Sequence, residues 1–241
     1  MEMQLYTNIL LAKSENRKLL AILLDPDKID WENLPELIVA ICDSPATHVF
    51  VGGSLVLSTK ICELIGALKA ACELPVLLFP GNPSQISDKA DGILFLSLLS
   101  GRNPDYLIEY HVQAAPILKK SKLEIIATGY ILIESGTQTA VETVSKTLPL
   151  SRNNNDLAVA TALAGEMQGK KLIYLEAGSG AQNAVPLEMI QKVSEEISIP
   201  LIVGGGIRTH TGIQQAYNAG ADLVVIGTAF ENDSNFFRQR S

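Results

Sequence analysis

Short runs of Val, Ile and Leu recur along the chain, separated by longer stretches whose apolar residues return every three or four positions. The runs are Leu19–Leu24, His48–Val51, Pro75–Phe79, Gly92–Leu96, Leu123–Ala127, Lys171–Leu175, Pro200–Val203 and Asp222–Ile226. They are almost continuously apolar instead of alternating, the pattern of parallel strands covered on both faces. The intervening stretches predict helices over Leu34–Cys42, Leu57–Ala71, Pro104–Leu118, Asp156–Met167, Pro186–Glu196 and Gly212–Ala219. Pro104 and Pro186 stand where a first-turn proline is tolerated, and Gly220 stands at a helix stop. Eight strands alternating with helices predict a (β/α)8 TIM barrel of class α/β. Residues 1–241 are read as a single domain, because no linker, low-complexity segment or charge block interrupts them.

Two connections break the rhythm. From Pro75 to Gly92 is only 17 residues, and the gap after strand 3 holds Pro80-Gly-Asn-Pro-Ser-Gln-Ile-Ser, too short and proline-rich for an ordinary helix. A short, non-helical crossover is expected there. From Leu123 to Lys171 is 48 residues, which leaves extra chain over Thr128–Asn153 before the next helix.

Function in such a barrel lies on the loops at the carboxyl ends of the strands. Those ends read Asp25-Pro-Asp27-Lys28, Gly52-Gly-Ser54, Phe79-Pro-Gly-Asn82, Glu176-Ala-Gly178-Ser-Gly180, Gly204-Gly-Gly206-Ile-Arg208 and Gly227-Thr228. The glycines after strands 7 and 8 stand where barrels bind phosphate through backbone N–H groups, since a Cβ would hinder close approach. Tight strand-to-helix turns are the plainer use of the same glycines. Asp25 with the Ser54 hydroxyl suits Mg²⁺, which takes one or two protein oxygens and leaves the rest to phosphate and water; a turn-capping aspartate is the competing reading. Glu176 ends an apolar strand before a Gly-Ser-Gly loop, as a general base or as an ion-paired structural carboxylate. The three histidines form no triad with Ser and Asp.

Composition narrows the classes. Lys plus Arg number 19 against 26 Asp plus Glu, a net charge of −7, and aromatics make up 5%. Nucleic-acid binding, which needs a basic footprint and stacking rings, is therefore not expected. The cysteines Cys42, Cys62 and Cys72 form no C-x-x-C or Cys/His pair, and Cys62 and Cys72 lie ten residues apart on one predicted helix, so neither zinc nor a redox pair is expected. The N-terminus lacks a signal-peptide pattern, and no apolar run approaches the ~20 residues of a membrane span. A cytoplasmic protein with at most peripheral membrane contact is expected.

In order along the chain, Leu24-Asp-Pro-Asp-Lys28, Val51-Gly-Gly-Ser54, Leu78-Phe-Pro-Gly-Asn82, Tyr174-Leu-Glu-Ala-Gly-Ser-Gly-Ala181, Val203-Gly-Gly-Gly-Ile-Arg208 and Gly227-Thr-Ala-Phe-Glu231 resemble the geranylgeranylglyceryl phosphate synthases and their PcrB-type relatives. With Thr128-Gly-Tyr130, the wording is closer to the archaeal-type branch. The resemblance implies a prenyltransferase that moves a geranylgeranyl group from its diphosphate to the 3-hydroxyl of sn-glycerol 1-phosphate, with Mg²⁺ as cofactor. It implies Asp25 and Ser54 as metal ligands and Glu176 as the catalytic group facing the reacting hydroxyl. Tyr174, Leu175, Glu176, Ala177, Gly178, Ser179, Gly180, Gly205, Gly206, Gly227 and Thr228 would hold glycerol phosphate. Family members often carry Thr at the Ser54 position, and Ser keeps the hydroxyl. A homo-oligomer is expected. The alternatives are another phosphate-binding barrel enzyme and a non-catalytic binder of isoprenoid or phospholipid. The apolar residues beside the short crossover are expected to line a groove for the prenyl tail.

Overall fold

The computed structural model describes residues 5–54, 56 and 60–238. Eight parallel strands close into a barrel in chain order: β1 (Leu19–Leu24), β2 (His48–Gly53), β3 (Val76–Pro80), β4 (Gly92–Leu98), β5 (Glu124–Leu132), β6 (Leu172–Glu176), β7 (Leu201–Gly204) and β8 (Leu223–Ile226). Closure comes from β1 pairing with β8, Ile22 opposite Ile226. The helices are α1 (Leu5–Ser14), α2 (Leu34–Cys42), α3 (Ile61–Ala71), α4 (Tyr110–Leu118), α5 (Ala140–Ser145), α6 (Asn155–Met167), α7 (Leu187–Glu196), α8 (His210–Asn218) and α9 (Thr228–Asn232). A π-helical turn, Asp105–Glu109, leads into α4. Residues 57–59, the expected start of α3, lie outside the described residues. Among the described residues no helix is long and apolar enough to cross a membrane.

Side chains alternate across each strand. Leu19, Ala21, Phe50, Leu77, Leu94, Ile126, Leu172, Tyr174, Ile202, Leu223 and Val225 fill the barrel, while their neighbours pack outward under the helices. Two of the helices not expected from the sequence, α1 and α5, have distinct uses. α1 closes the amino-terminal end of the barrel with Leu5, Ile9 and Ala12. Its first free N–H groups, from Leu5 and Tyr6, donate to the Glu124 carboxylate at 2.6 and 2.9 Å. α5 folds from the extra chain after β5 and starts with a capping box between Thr139 and Glu142. β5 itself runs on to Leu132, so Thr128-Gly-Tyr130 belongs to a strand and not to the long connection.

The crossover after β3 contains no α-helix. It holds one 3₁₀ turn, Pro83–Gln85, whose start is fixed by the Asn82 side chain accepting from the Ser84 N–H at 2.9 Å, a small departure from the wholly non-helical crossover expected. Only two residue pairs join β3 to β4, against seven between β4 and β5. With no full helix over this seam, a groove stays open beside it.

Candidate active site at the barrel mouth

Two cavities meet at the carboxyl end of the barrel. The first, about 1120 Å³, is polar: Asp25, Lys28, Ser54, Tyr174, Glu176, Gly178–Gly180, Gly205, Gly206, Arg208, Gly227, Thr228 and Glu231 line it. The second, about 740 Å³, is apolar and lies over the β3–β4 seam, walled by residues such as Ile86, Phe95, Tyr106, Tyr110 and Ala114. Gly53, Ser54, Phe79, Tyr130 and Val141 line both, so the two are one continuous space. At the junction the Phe79, Tyr130 and Tyr174 rings form a triangle with centroids 5.3–5.9 Å apart.

Inward alternation on β6 carries Leu172 and Tyr174 into the barrel and sets Glu176 at its rim. Glu176 is only 5% exposed, and its Oε1 accepts from the Gly178 N–H at 2.6 Å. Among the described residues it has no ion pair, which removes the structural ion-pair reading. Burial pushes its carboxyl up to about 7, against the opposing pull of the Tyr174 hydroxyl and the Gly178 N–H. The Tyr174 hydroxyl sits beside the carboxylate without a well-aligned hydrogen bond, a fully buried polar atom at the floor of the polar cavity. Burial, and then the Glu176 charge, hold that phenol well above its ordinary range.

The glycines after β7 do two jobs. Gly205 (φ +79°) and Gly206 (φ +70°) take left-handed conformations that a side chain would strain. A Cβ on Gly205 would overlap Glu176 Oε1 and come within 2.6 Å of the Gly178 nitrogen, so this glycine makes room for the carboxylate and not only for an incoming phosphate. Among the described residues, the N–H groups of Gly205, Gly206 and Thr228 donate to no protein acceptor. They stand after β7 and β8, where barrels hold phosphate. Gly227 differs: the nearest atoms to a Cβ there lie 3.8 Å away, so the surrounding residues leave room for one. Leu175 and Ala177 point away from the mouth into the layer under the helices, so their side chains leave the expected binding set.

Asp25 fits both readings the sequence left open. Its Oδ1 caps the turn by accepting from the Asp27 N–H at 3.1 Å, while Oδ2 lies 3.3 Å from Lys28 Nζ. A Cβ on Gly53 would come within 3.1 Å of Oδ2, so that glycine leaves the carboxylate room. Among the described residues no group of three or more His, Cys, Asp or Glu could cage a metal. One carboxylate and the Ser54 hydroxyl fit a hard cation whose other ligands are water and substrate phosphate.

Lys28, Glu231 and Arg208 complete the mouth, and the sequence assigned none of them a role. Lys28 Nζ donates to Ser179 Oγ, 151 residues away, at 3.0 Å and lies 3.7 Å from Glu231 Oε2, so it bridges the loops after β1, β6 and β8. Glu231 Oε1 accepts the Asp25 N–H at 3.1 Å and so fixes the β1 loop. Burial raises the Glu231 carboxyl above its ordinary value, with Lys28 pulling the other way. Arg208 donates to the carbonyls of Ala181 and Gln182, tying the β7 loop to the β6 loop.

The chain is similar over nearly its whole length to proteins that share one name. A geranylgeranylglyceryl phosphate synthase of Flavobacterium johnsoniae is 70% identical, over 97% of this chain and 96% of the relative. One from Korarchaeum cryptofilum is 41% identical, over 91% and 90%. The crystal structure of (S)-3-O-geranylgeranylglyceryl phosphate synthase from Thermoplasma acidophilum, in complex with its substrate sn-glycerol-1-phosphate, superposes with a TM-score of 0.91 at 33% identity, covering 98% of this chain and 95% of that one. The PcrB family model matches residues 13–239, and the chain belongs to the PcrB family.

Proposed function

We propose that this chain is a prenyltransferase that joins the geranylgeranyl group of its diphosphate to the 3-hydroxyl of sn-glycerol 1-phosphate, releasing pyrophosphate. The observation that carries the reading is a carboxyl raised to about 7, set where a polar cavity opens into an apolar groove. A hydroxyl nucleophile must lose its proton as the new C–O bond forms, and Glu176 accepts it, because a base titrating near neutrality combines availability with driving force. The free N–H groups of Gly205, Gly206 and Thr228 hold the glycerol phosphate. The Tyr174 hydroxyl, beside Glu176, orients the glycerol end.

Asp25 and Ser54 would hold Mg²⁺, which when bound supplies Lewis-acid stabilisation of the diphosphate leaving group. Lys28 adds a positive charge at the same edge. The tail lies in the groove between β3, β4 and α4, whose walls are mostly apolar and aromatic. Fixing both substrates along one continuous cavity supplies much of the remaining acceleration. A homo-oligomer belongs to the same reading, supported by Ile108, Val112 and Ile117, which are large, apolar and exposed on and just before α4.

Incubation of the protein with geranylgeranyl diphosphate, sn-glycerol 1-phosphate and Mg²⁺ tests the assignment. An ether-linked product and free pyrophosphate are expected. Binding of both compounds without product would leave an isoprenoid carrier, and turnover of a phosphorylated sugar alone would leave a different barrel enzyme.

A further inference from the structure

The sequence pairs no cysteines, yet the fold brings two of them together far from the mouth. Cys42 is the last residue of α2, and Cys72 is the C-cap of α3. Both helices run back from the mouth, so these ends lie at the amino-terminal end of the barrel, the face that serves stability in this fold. Cys42 Sγ lies 3.5 Å from the carbonyl oxygen of Ala71, the residue immediately before Cys72. A carbonyl oxygen and the next Cα are held under about 3 Å apart by the planar peptide, so the Cys42 sulfur is within roughly 6 Å of the Cys72 Cα. That bound takes in the shorter sulfur-to-Cα separation of a bridged pair, so rotation of the two side chains can bring the sulfurs together. The two thiols also feel each other: partial desolvation at the helix end, and then the hydrogen bond and charge of the Cys72 thiol, push the Cys42 thiol up to about 11. Cys42 is exposed and Cys72 half-buried, so a small reagent can reach the pair.

We propose that Cys42 and Cys72 are an oxidation site, a dithiol that closes to an intramolecular disulfide joining the ends of α2 and α3. The oxidant is a low-molecular-weight disulfide. One cysteine thiolate attacks it, forming a mixed disulfide and expelling one small thiolate. The second cysteine sulfur then attacks the first, forming the Cys42–Cys72 bond and expelling the other small thiolate. Two protein thiols are oxidised, one small disulfide is reduced to two thiols, and the two protons released by the cysteines pass to those products. Cys62 has a different neighbour, the Ser87 hydroxyl at 3.1 Å, and takes no part. The bridge closes the chain segment between α2 and α3, including β2, and by limiting the unfolded chain it stabilises the barrel.

The test uses the full-length protein and oxidised glutathione, independently of any transferase assay. Thiol titration is expected to fall from three groups to one, and unreduced peptide mapping to link Cys42 with Cys72. The oxidised protein is expected to melt roughly 5–15 °C higher than the reduced form. Cys42→Ser and Cys72→Ser are each expected to lose the internal bridge and to carry glutathione on the remaining partner, with no gain in melting temperature. Three persistent thiols, a bridge through Cys62, only intermolecular disulfides, or an unchanged melting temperature after bridging would overturn the proposal.

Discussion

Glu176→Gln separates the stability of the barrel from its chemistry. The wild-type carboxyl is buried and sits near 7 instead of its ordinary 4.5, so folding favours its protonated form. The sign follows from linkage. The contribution is fully present below pH 4.5 and is lost as pH rises through 7. The difference of 7 − 4.5, at about 1.36 kcal/mol per pH unit, makes the ionised form cost about 3 kcal/mol above neutrality. Glutamine keeps the oxygen that accepts the Gly178 N–H and cannot ionise. The variant is therefore expected to be more stable than wild type by up to about 3 kcal/mol at pH 8.5, and equal to it within about 0.5 kcal/mol at pH 4.5. Its kcat is expected to fall roughly 10²–10⁴-fold, the range for a lost general base, with a much smaller change in glycerol phosphate affinity. Urea denaturation at the two pH values, with steady-state kinetics alongside, makes the measurement. A variant no more stable at pH 8.5, or one that loses affinity while keeping kcat, would refute the reasoning.

Other perturbations read the remaining parts of the mouth. Asp25→Asn is expected to weaken Mg²⁺-dependent turnover by ~10²-fold or more, with partial recovery at high Mg²⁺; titration of activity against Mg²⁺ checks it. Gly205→Val forces a branched side chain into a left-handed position and onto the Glu176 carboxylate, so kcat is expected to fall at least as much as affinity, which a kcat and KM comparison reads. Each isoprene unit added within the groove buries about five carbons at ~0.8 kcal/mol each, offset by lost tail freedom. kcat/KM is therefore expected to rise ~10–10³-fold from C15 to C20 diphosphates, and a flat series would place the tail in solvent. Ile9→Ala opens a hole under α1 and is expected to cost about 2–5 kcal/mol by denaturation with the active-site constants unchanged.

Local pattern was enough for most of the barrel. Leu19–Leu24 is read and found with the same limits, because an all-apolar run between a cationic residue and Asp-Pro admits little else. The strand-end tracts also fell where expected, since each follows its strand without an intervening element. The sequence reading ends β5 at Ala127, yet over Thr128-Gly-Tyr130 the backbone still pairs with β4 and β6. The signal for α5 was local and present, Thr139 three residues before Glu142, whereas α1 takes its N-terminal partner from Glu124, more than a hundred residues away. The same distance hides the chemistry that matters most. Nothing near Glu176 in sequence shows that its carboxyl is fully enclosed, that Gly204 and Gly205 make space for it, or that Lys28 meets Glu231. Those are products of closure, in which strands far apart in the chain converge on one mouth.

A crystal structure with sn-glycerol 1-phosphate, Mg²⁺ and an unreactive prenyl diphosphate analogue tests the account most directly. The 3-hydroxyl is expected within about 2.6–3.2 Å of a Glu176 oxygen, with the phosphate on the N–H groups of Gly205, Gly206 and Thr228. The prenyl tail is expected to pass Phe79 and Tyr130 into the groove beside α4. A glycerol hydroxyl turned away from Glu176, or a tail leaving the mouth by another route, would contradict it.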